Sequence, residues 1–328
     1  MGAEVEGGRL SAADVEAARL RIKDYVYKTP LEKSIYLSSG KRSVFLKLEC
    51  QQPVKAYKIR GALNKLLLLS AAQKNAGVAA VSSGNHGISV AYGAQLLGIG
   101  TVKIIVPETT PQSKIDRIRY YGGDVLLMGS NFDEAYAQGT AYVKESGLTY
   151  IDGWDNDPDV YAGQGTIALE ILEQNPDIDT ILAPIGGGGL CTGIAMSGKS
   201  RKPGLKVIPL CSEACTAWPD GIRDGRHYHE YPSAPSLCEA MVGGIGHLAY
   251  SMREWLDPSL TVKESFIRRA IAHAVLEEKI VAEASGAVPI AAMLQYGDEI
   301  PGKNIALVIS GGNVDTDLLI DIISSMKK

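Results

Sequence analysis

The residues able to do chemistry fall in four short segments of the 328-residue chain. Lys58 stands in Ala56-Tyr57-Lys58-Ile59-Arg60-Gly61-Ala62, just before or at the start of an apolar-periodic helix from Ala62 to Leu69. Lys55, Lys65, Arg60 and the positive end of that helix all disfavour a second ammonium charge. This predicts a lowered pKa and an amine suited to nucleophilic and Schiff-base chemistry. Taken alone, such a lysine is more often a solvated surface residue; its weight comes from the other segments.

The second segment is Gly186-Gly187-Gly188-Gly189-Leu190. Four residues without Cβ free successive backbone N–H groups to converge on an anion, and the helix that follows adds its positive end, so a phosphate fits. A dinucleotide is the competing ligand, with Glu213 near the place of a ribose-binding acid, but GxGxxG spacing is absent here. Gly163-x-Gly165-x-x-Ala168 has that spacing but follows no buried strand, and no Gly-Lys-Ser/Thr marks a P-loop. The loop suits a small phosphate better than a nucleotide. In the third segment, Ser82-Ser83-Gly84-Asn85-His86-Gly87, hydroxyls and N–H groups at a helix start make a carboxylate-sized anion site. Asn85 offers an amide to a phenolate oxygen and Ser83 a proton-carrying hydroxyl, although an ordinary N-cap would look similar. The fourth, Ser310-Gly311-Gly312-Asn313, places a hydroxyl at the end of a buried strand.

Positioning these segments requires strands that end at loops and helices that begin there. Apolar runs at Val78–Val81, Lys103–Val106, Asp124–Met128, Leu148–Ile151, Thr180–Ile185, Lys206–Cys211 and Asn304–Ile309 read as strands. Between them lie helical patterns of 10 to 15 residues, the signature of βαβ units and parallel sheets. The first four strands, within 77–152, make a small domain; 1–76 plus 153–328 make a larger one. Ligands of such folds sit beyond the carboxyl ends of the strands, where the loops after Val81, Ile185 and Ile309 all fall.

Composition narrows the class further. Lys+Arg total 33 against Asp+Glu 37, a net charge of -4 that gives no broad footprint for nucleic acid or a membrane surface. No apolar run approaches the roughly 18 residues of a membrane span. Five cysteines without CxxC pairing read as reduced thiols, with Cys211 and Cys215 buried. With no signal pattern at the N-terminus, the expectation is a cytoplasmic protein. His227 and His229 read as surface residues of a polar loop, and His273 as a packing residue on a helix.

Taken in order, these segments resemble the pyridoxal-phosphate enzymes of fold type II, in the threonine dehydratase and serine racemase group. The resemblance runs through Thr29-Pro30-Leu31, Leu46-Lys47-Leu48-Glu49, Tyr57 to Ala62, Ser83 to Gly87, Ala162 to Thr166, Gly186 to Leu190 and Ser310 to Asp315. It implies two open, twisted, mainly parallel sheets flanked by helices in a large and a small domain, a homodimer, and pyridoxal 5'-phosphate as cofactor. It implies that Lys58 carries the cofactor as a Schiff base and moves protons at the substrate α-carbon, while Gly186, Gly187, Gly188, Gly189 and Leu190 hold its phosphate. Asn85 would bond the ring oxygen and Ser310 the pyridine nitrogen. Ser82, Ser83 and His86 would line the substrate carboxylate pocket.

The implied activity is an ammonia-lyase acting on a small β-hydroxy amino acid of the L-threonine or L-serine type. The alternative is a racemase, or a bifunctional racemase-dehydratase, with Lys58 and Ser83 on opposite faces of the substrate. The sequence departs from the group's pattern in places. Ala56-Tyr57 replaces the usual Ser-Phe, placing a phenol near the cofactor, and Cys238-Glu239-Ala240 stands where Ala-Asp-Gly is common. Asp155 falls where the racemase branch carries Asn. Glu213 and Ala217 match two donors of the group's divalent-cation site, but Pro219 replaces the carboxylate partner, so no metal is assigned. After Ser310 only a short helix is expected, without a regulatory domain.

Overall fold

A computed structural model of the chain describes residues 10–325. The chain starts with α1 (Ala12–Ile22), the hairpin β1 (Leu31–Ser39) and β2 (Arg42–Lys47), then α2 (Lys58–Leu68) and α3 (Ala71–Ala76). A run of βα units follows: β3 (Val78–Val81), α4 (Asn85–Leu96), β4 (Val102–Val106), α5 (Gln112–Tyr120), β5 (Asp124–Leu127), α6 (Phe132–Ser146) and β6 (Thr149–Tyr150). Next come α7 (Pro158–Gln174), β7 (Thr180–Pro184), α8 (Gly189–Arg201), β8 (Lys206–Ser212), α9 (Ala217–Asp224) and α10 (His247–Ser251). Last are β9 (Leu260–Val262), α11 (Glu264–Leu276), α12 (Ala284–Tyr296), β10 (Asn304–Val308) and α13 (Thr316–Ser325).

The strands form two sheets. The larger has the order β1-β2-β10-β7-β8-β9, and its β1–β2 edge pair is antiparallel while the other pairings are parallel. The smaller, β5-β4-β3-β6, is parallel throughout. Strands such as Val78–Val81 and Thr180–Pro184 are buried along their whole length, as parallel strands covered on both faces must be. Helices α1, α7 and α8 cover one face of the larger sheet, and α11 and α12 the other. On the smaller sheet, α4 and α5 cover one face and α6 the opposite one.

Helix α2 couples the two sheets. Its apolar residues Ile59, Ala62, Leu63 and Leu66 share a core with Val78, Ala80, Ile88 and Ile104 of the smaller unit. Its polar face is bound to the larger one through Arg60, which is fully buried. The guanidinium donates to Glu49 at 2.7 and 2.8 Å and to Glu170 at 2.7 and 2.9 Å, and Lys47 adds a 2.6 Å bond to Glu170. Five fixed donors suit the arginine to gripping two carboxylates at once. Gly61 lets the helix backbone press against α7, where an added Cβ would lie 2.6 Å from the Val160 carbonyl.

The GxGxxG-like spacing at Gly163 and Gly165 has a packing cause. Both lie inside α7, Gly163 against the α2 backbone at Gly61 and Gly165 against Gly193 of α8. All five cysteines are buried and unpaired. Among the described residues, no helix is long and apolar enough to cross a membrane.

Candidate active site

Lys58 is the first residue of α2, and Nζ donates to the Gly153 carbonyl at 2.7 Å. Burial lowers the pKa of this amine to about 8, with Asp152 partly opposing the change. The direction agrees with the sequence; the cause does not. Arg60 is neutralised by Glu49 and Glu170, and Lys65 by Asp157 and Asp159 at 2.9 Å, leaving burial as the dominant influence. The adjacent Tyr57 packs against the core of the larger sheet, and its N–H donates to the Ser310 carbonyl at 3.0 Å. That bond, with an isolated bridge between Ala56 and Gly311, sets the Ser310 loop alongside the lysine.

The Ser82–Gly87 turn leads from β3 into α4, which starts at Asn85. Ser82 Oγ accepts the Gly84 N–H at 3.3 Å, and Ser83 is partly buried in the same turn. His86 is buried, with Nε2 2.9 Å from the Ile151 carbonyl. Burial first, then the nearby Lys58 charge, holds its pKa down at about 4, so the ring is neutral near pH 7 and donates Nε2–H to that carbonyl. Asn85 Nδ2 donates to Glu283 at 2.7 Å, and Asn313 Nδ2 donates to Asn85 Oδ1 at 2.7 Å. Asn85 and the Ser310 loop therefore meet around Glu283. Sequence reasoning did not single out this carboxyl, whose pKa burial pushes up to about 7.

The tetraglycine loop follows β7 and ends on α8, whose first turn has no side-chain cap. Its first N–H groups therefore lack the usual partner and are open to an anion. Side chains are excluded along the loop. A Cβ at Gly186 would come 2.6 Å from the Ala240 carbonyl, and one at Gly189 2.8 Å from the Tyr161 ring. Gly188 has φ +101 and would drive a Cβ to 2.4 Å from Ala249. The loop joins the lysine through the segment after Ile151. Trp154 packs on Gly187, Gly153 receives Lys58, and Asp152 ties the turn by accepting the N–H groups of Trp154, Asp155 and Asn156.

The arrangement fits pyridoxal phosphate on its own chemistry: a low-pKa amine, a side-chain-free cradle at an uncapped helix start, and polar groups between them. The structure links Lys58, Tyr57, Asn85, His86, the glycine loop and Ser310 through a continuous set of contacts.

One sequence expectation near the loop needs correction. His227 and His229 are not loose surface residues. They are half-buried in an aromatic cluster with Trp154, Tyr250 and the exposed His247, in which His229 stacks on Trp154 with ring centroids 5.0 Å apart. No single stretch of sequence signals this, because its members come from three separate segments: the turn after β6, the loop after α9 and helix α10. At the divalent-cation position suggested by resemblance, the Glu213 carboxylate accepts the Glu264 N–H at the start of α11 (2.9 Å).

The fold and this site define a class, and comparison with known proteins agrees. The chain belongs to the pyridoxal-phosphate dependent enzyme family, whose model matches residues 22–311. It is 37% identical over 318 residues to an L-threonine ammonia-lyase of Thermotoga maritima, covering 96% of this chain and 78% of that one. It is 38% identical over 314 residues to the catabolic L-threonine dehydratase TdcB of Staphylococcus aureus, covering 93% and 90%. Among solved structures, maize serine racemase superposes with a TM-score of 0.88 at 29% identity, covering 98% of both chains. The processed form of threonine deaminase isoform 2 from Solanum lycopersicum gives 0.88 at 31% identity, covering 98% of this chain and 92% of that one.

Proposed function

We propose that this chain is an ammonia-lyase that converts a small β-hydroxy amino acid, L-threonine or L-serine, to a 2-keto acid and ammonia. The observation that carries the reading is Lys58: a helix-start amine with a pKa near 8, beside a side-chain-free glycine cradle. The threonine ammonia-lyase and dehydratase relatives, at 37% and 38% identity, support the choice of substrate.

In this reading Gly186, Gly187, Gly188, Gly189 and Leu190 hold the cofactor phosphate through backbone N–H groups. Asn85 would bond the cofactor's ring oxygen and Ser310 its ring nitrogen, while Tyr57, next to the lysine, would add a phenol near the cofactor. Bound pyridoxal phosphate supplies the electron sink that acidifies the substrate α-carbon. Ser82, Ser83 and the neutral His86 orient the substrate carboxylate. Lys58, able to lose and regain a proton near neutral pH, takes the α-proton. The β-hydroxyl leaves with a proton as water, and the resulting enamine is hydrolysed to the keto acid and ammonium. Residues 77–152 act in this scheme as a small domain inserted between 1–76 and 153–328.

Likeness to maize serine racemase favours one further reading, in which Ser83 serves the face opposite Lys58 and the α-centre is inverted. A screen for keto acid and ammonia release across both enantiomers of serine, threonine and 3-hydroxyaspartate tests the lyase, and chiral chromatography of residual serine tests the racemase. Lys58→Ala is expected to abolish turnover; full turnover by that variant refutes the assignment. Ser83→Ala should abolish interconversion alone if the racemase reading holds.

A further inference from the structure

Beside the glycine loop lies a cluster that the proposed reaction does not use. Asp155 comes from the turn after β6, His229 from the loop after α9, and His247 opens α10. His247 Nδ1 is 2.7 Å from Asp155 Oδ1, and His229 Nε2 is 3.4 Å from the same oxygen. All three donor atoms lie within 4.8 Å of one another. We propose that Asp155, His229 and His247 form a binding site for a divalent transition metal of the zinc class, with a fourth position open to water or an anion.

Donor type and spacing both support the assignment. Two imidazoles with one carboxylate favour zinc, cobalt or nickel over magnesium or calcium, which select oxygen donors. A tetrahedral ion with bonds of roughly 2.0–2.2 Å separates its ligand atoms by about 3.4 Å. The His229–Asp155 separation already has that value, and the His247–Asp155 pair needs to open by only a fraction of an ångström. The cluster is also short of partners. His229 Nε2, Trp154 Nε1 and Tyr250 Oη are buried without a hydrogen bond among the described residues. Buried polar atoms left in that state are uncommon and point to a missing polar ligand.

The surroundings hold the ligands in place. His229 stacks on Trp154, and the His247 N–H donates to Asp155 Oδ1 at 2.9 Å. His227 is occupied elsewhere, with Nε2 2.7 Å from the Ile245 carbonyl, and packs its ring 4.6 Å from that of His247. His247 is exposed, so an ion can enter from solvent. Gly246 N–H donates to the Gly187 carbonyl at 2.9 Å, so the ion would tie the loop bearing Gly153 to the loop bearing Gly187.

The test is Zn2+ titration calorimetry on chelator-treated full-length protein, repeated after loading with pyridoxal phosphate, with Co2+ absorption as a spectroscopic check. One equivalent should bind, with the visible bands of tetrahedral Co2+. Affinity should fall by roughly 10²-fold or more in His229→Asn and in His247→Asn. Asp155→Asn keeps an acceptor for the His247 N–H and preserves the fold, so in that variant the Tm rise caused by zinc should vanish. Absence of stoichiometric binding, or binding unchanged in both histidine variants, overturns the proposal. Loss on Glu213→Gln instead would place the ion at β8 and overturn it as well. None of these readouts depends on amino-acid turnover.

Discussion

Glu283 offers a stringent test of the site's electrostatics. Its carboxyl accepts from Asn85 Nδ2 and lies within 2.3 Å of where a Gly311 Cβ would stand. Burial raises its pKa from 4.5 to about 7, against smaller opposing effects from Asn85, the Asn313 N–H, Lys114 and Arg117. A carboxyl whose pKa is higher folded than unfolded binds its proton more tightly in the native state. It therefore costs no stability well below pH 4.5, a growing amount as pH rises from about 4.5 to 7, and a constant amount above that. At about 1.4 kcal/mol per pH unit, the full rise would be worth about 3 kcal/mol; partial accessibility of the side chain lowers that to about 1–3 kcal/mol. Glu283→Gln mimics the protonated acid and cannot ionise. In urea denaturation of cofactor-free protein, the stability difference between variant and wild type should be level below about pH 4 and already changing at about pH 5. It should move in favour of the variant by about 1–3 kcal/mol between about pH 4.5 and 7 and level off again by about pH 8. Comparing the two proteins at each pH cancels the histidines that titrate in the same range. A difference that stays constant from pH 5 to 8, or that moves against the variant, refutes the reasoning.

Three other outcomes are expected. The rate at which cofactor-free protein captures pyridoxal phosphate should climb with pH and level off above about 8, because the Lys58 free base is the reacting form. A rate still rising toward the ordinary lysine range near 10.5, followed by absorbance, would show an unperturbed amine. Arg60→Ala should cost about 3–5 kcal/mol in chemical denaturation, since it leaves the buried Glu49 without its main counter-charge. Gly188→Ala should weaken cofactor binding at least 10-fold in a fluorescence titration and lower stability by about 1–3 kcal/mol. There φ is +101 and Ala249 blocks the new methyl group.

The alternating strands and helices from Val78 to Leu127 and from Pro158 to Ser212 were legible because parallel strands buried on both faces leave continuous apolar runs. The antiparallel hairpin β1–β2 left no such mark. β1 is an edge strand with broken burial and an irregular register between Ser34 and Ser39, so its pattern is faint. Helix α1 opens on a capping box between Ser11 and Asp14, but only Val15, Ala18 and Ile22 are buried along it, so its apolar pattern is also faint. Within the site, Lys58, Asn85 and the glycines could be read because each sits at a strand-to-helix turn or a helix start. Glu283 and His247 could not, and Asp155 and His229 stood out only as isolated positions, not as neighbours. Their significance comes from distant partners: His247 meets Asp155 across 92 residues of chain, and Glu283 meets Asn85 across 198. Arg60 was misread for the same reason: a cation close along a helix to others looks repulsive until the distant Glu49 and Glu170 are in view.

The two seams of α2 differ in kind. Toward α7 the contact is backbone on backbone, Gly61 against Gly163, locked by the ion pairs of Arg60. Toward α4 it is a greasy bearing, with the Leu63 and Leu66 side chains lying over the bare surface of Gly93. Among the described residues, the second seam is therefore the one without ion pairs of its own, and across the units the polar links lie elsewhere, at Asn85–Glu283, Asn313–Asn85 and Lys114–Glu239. Lys58 is thus fixed to the unit that carries the glycine loop, while Ser83, Asn85 and His86 belong to the unit joined to it by apolar packing and by the Asn85 hydrogen bonds to Glu283 and Asn313.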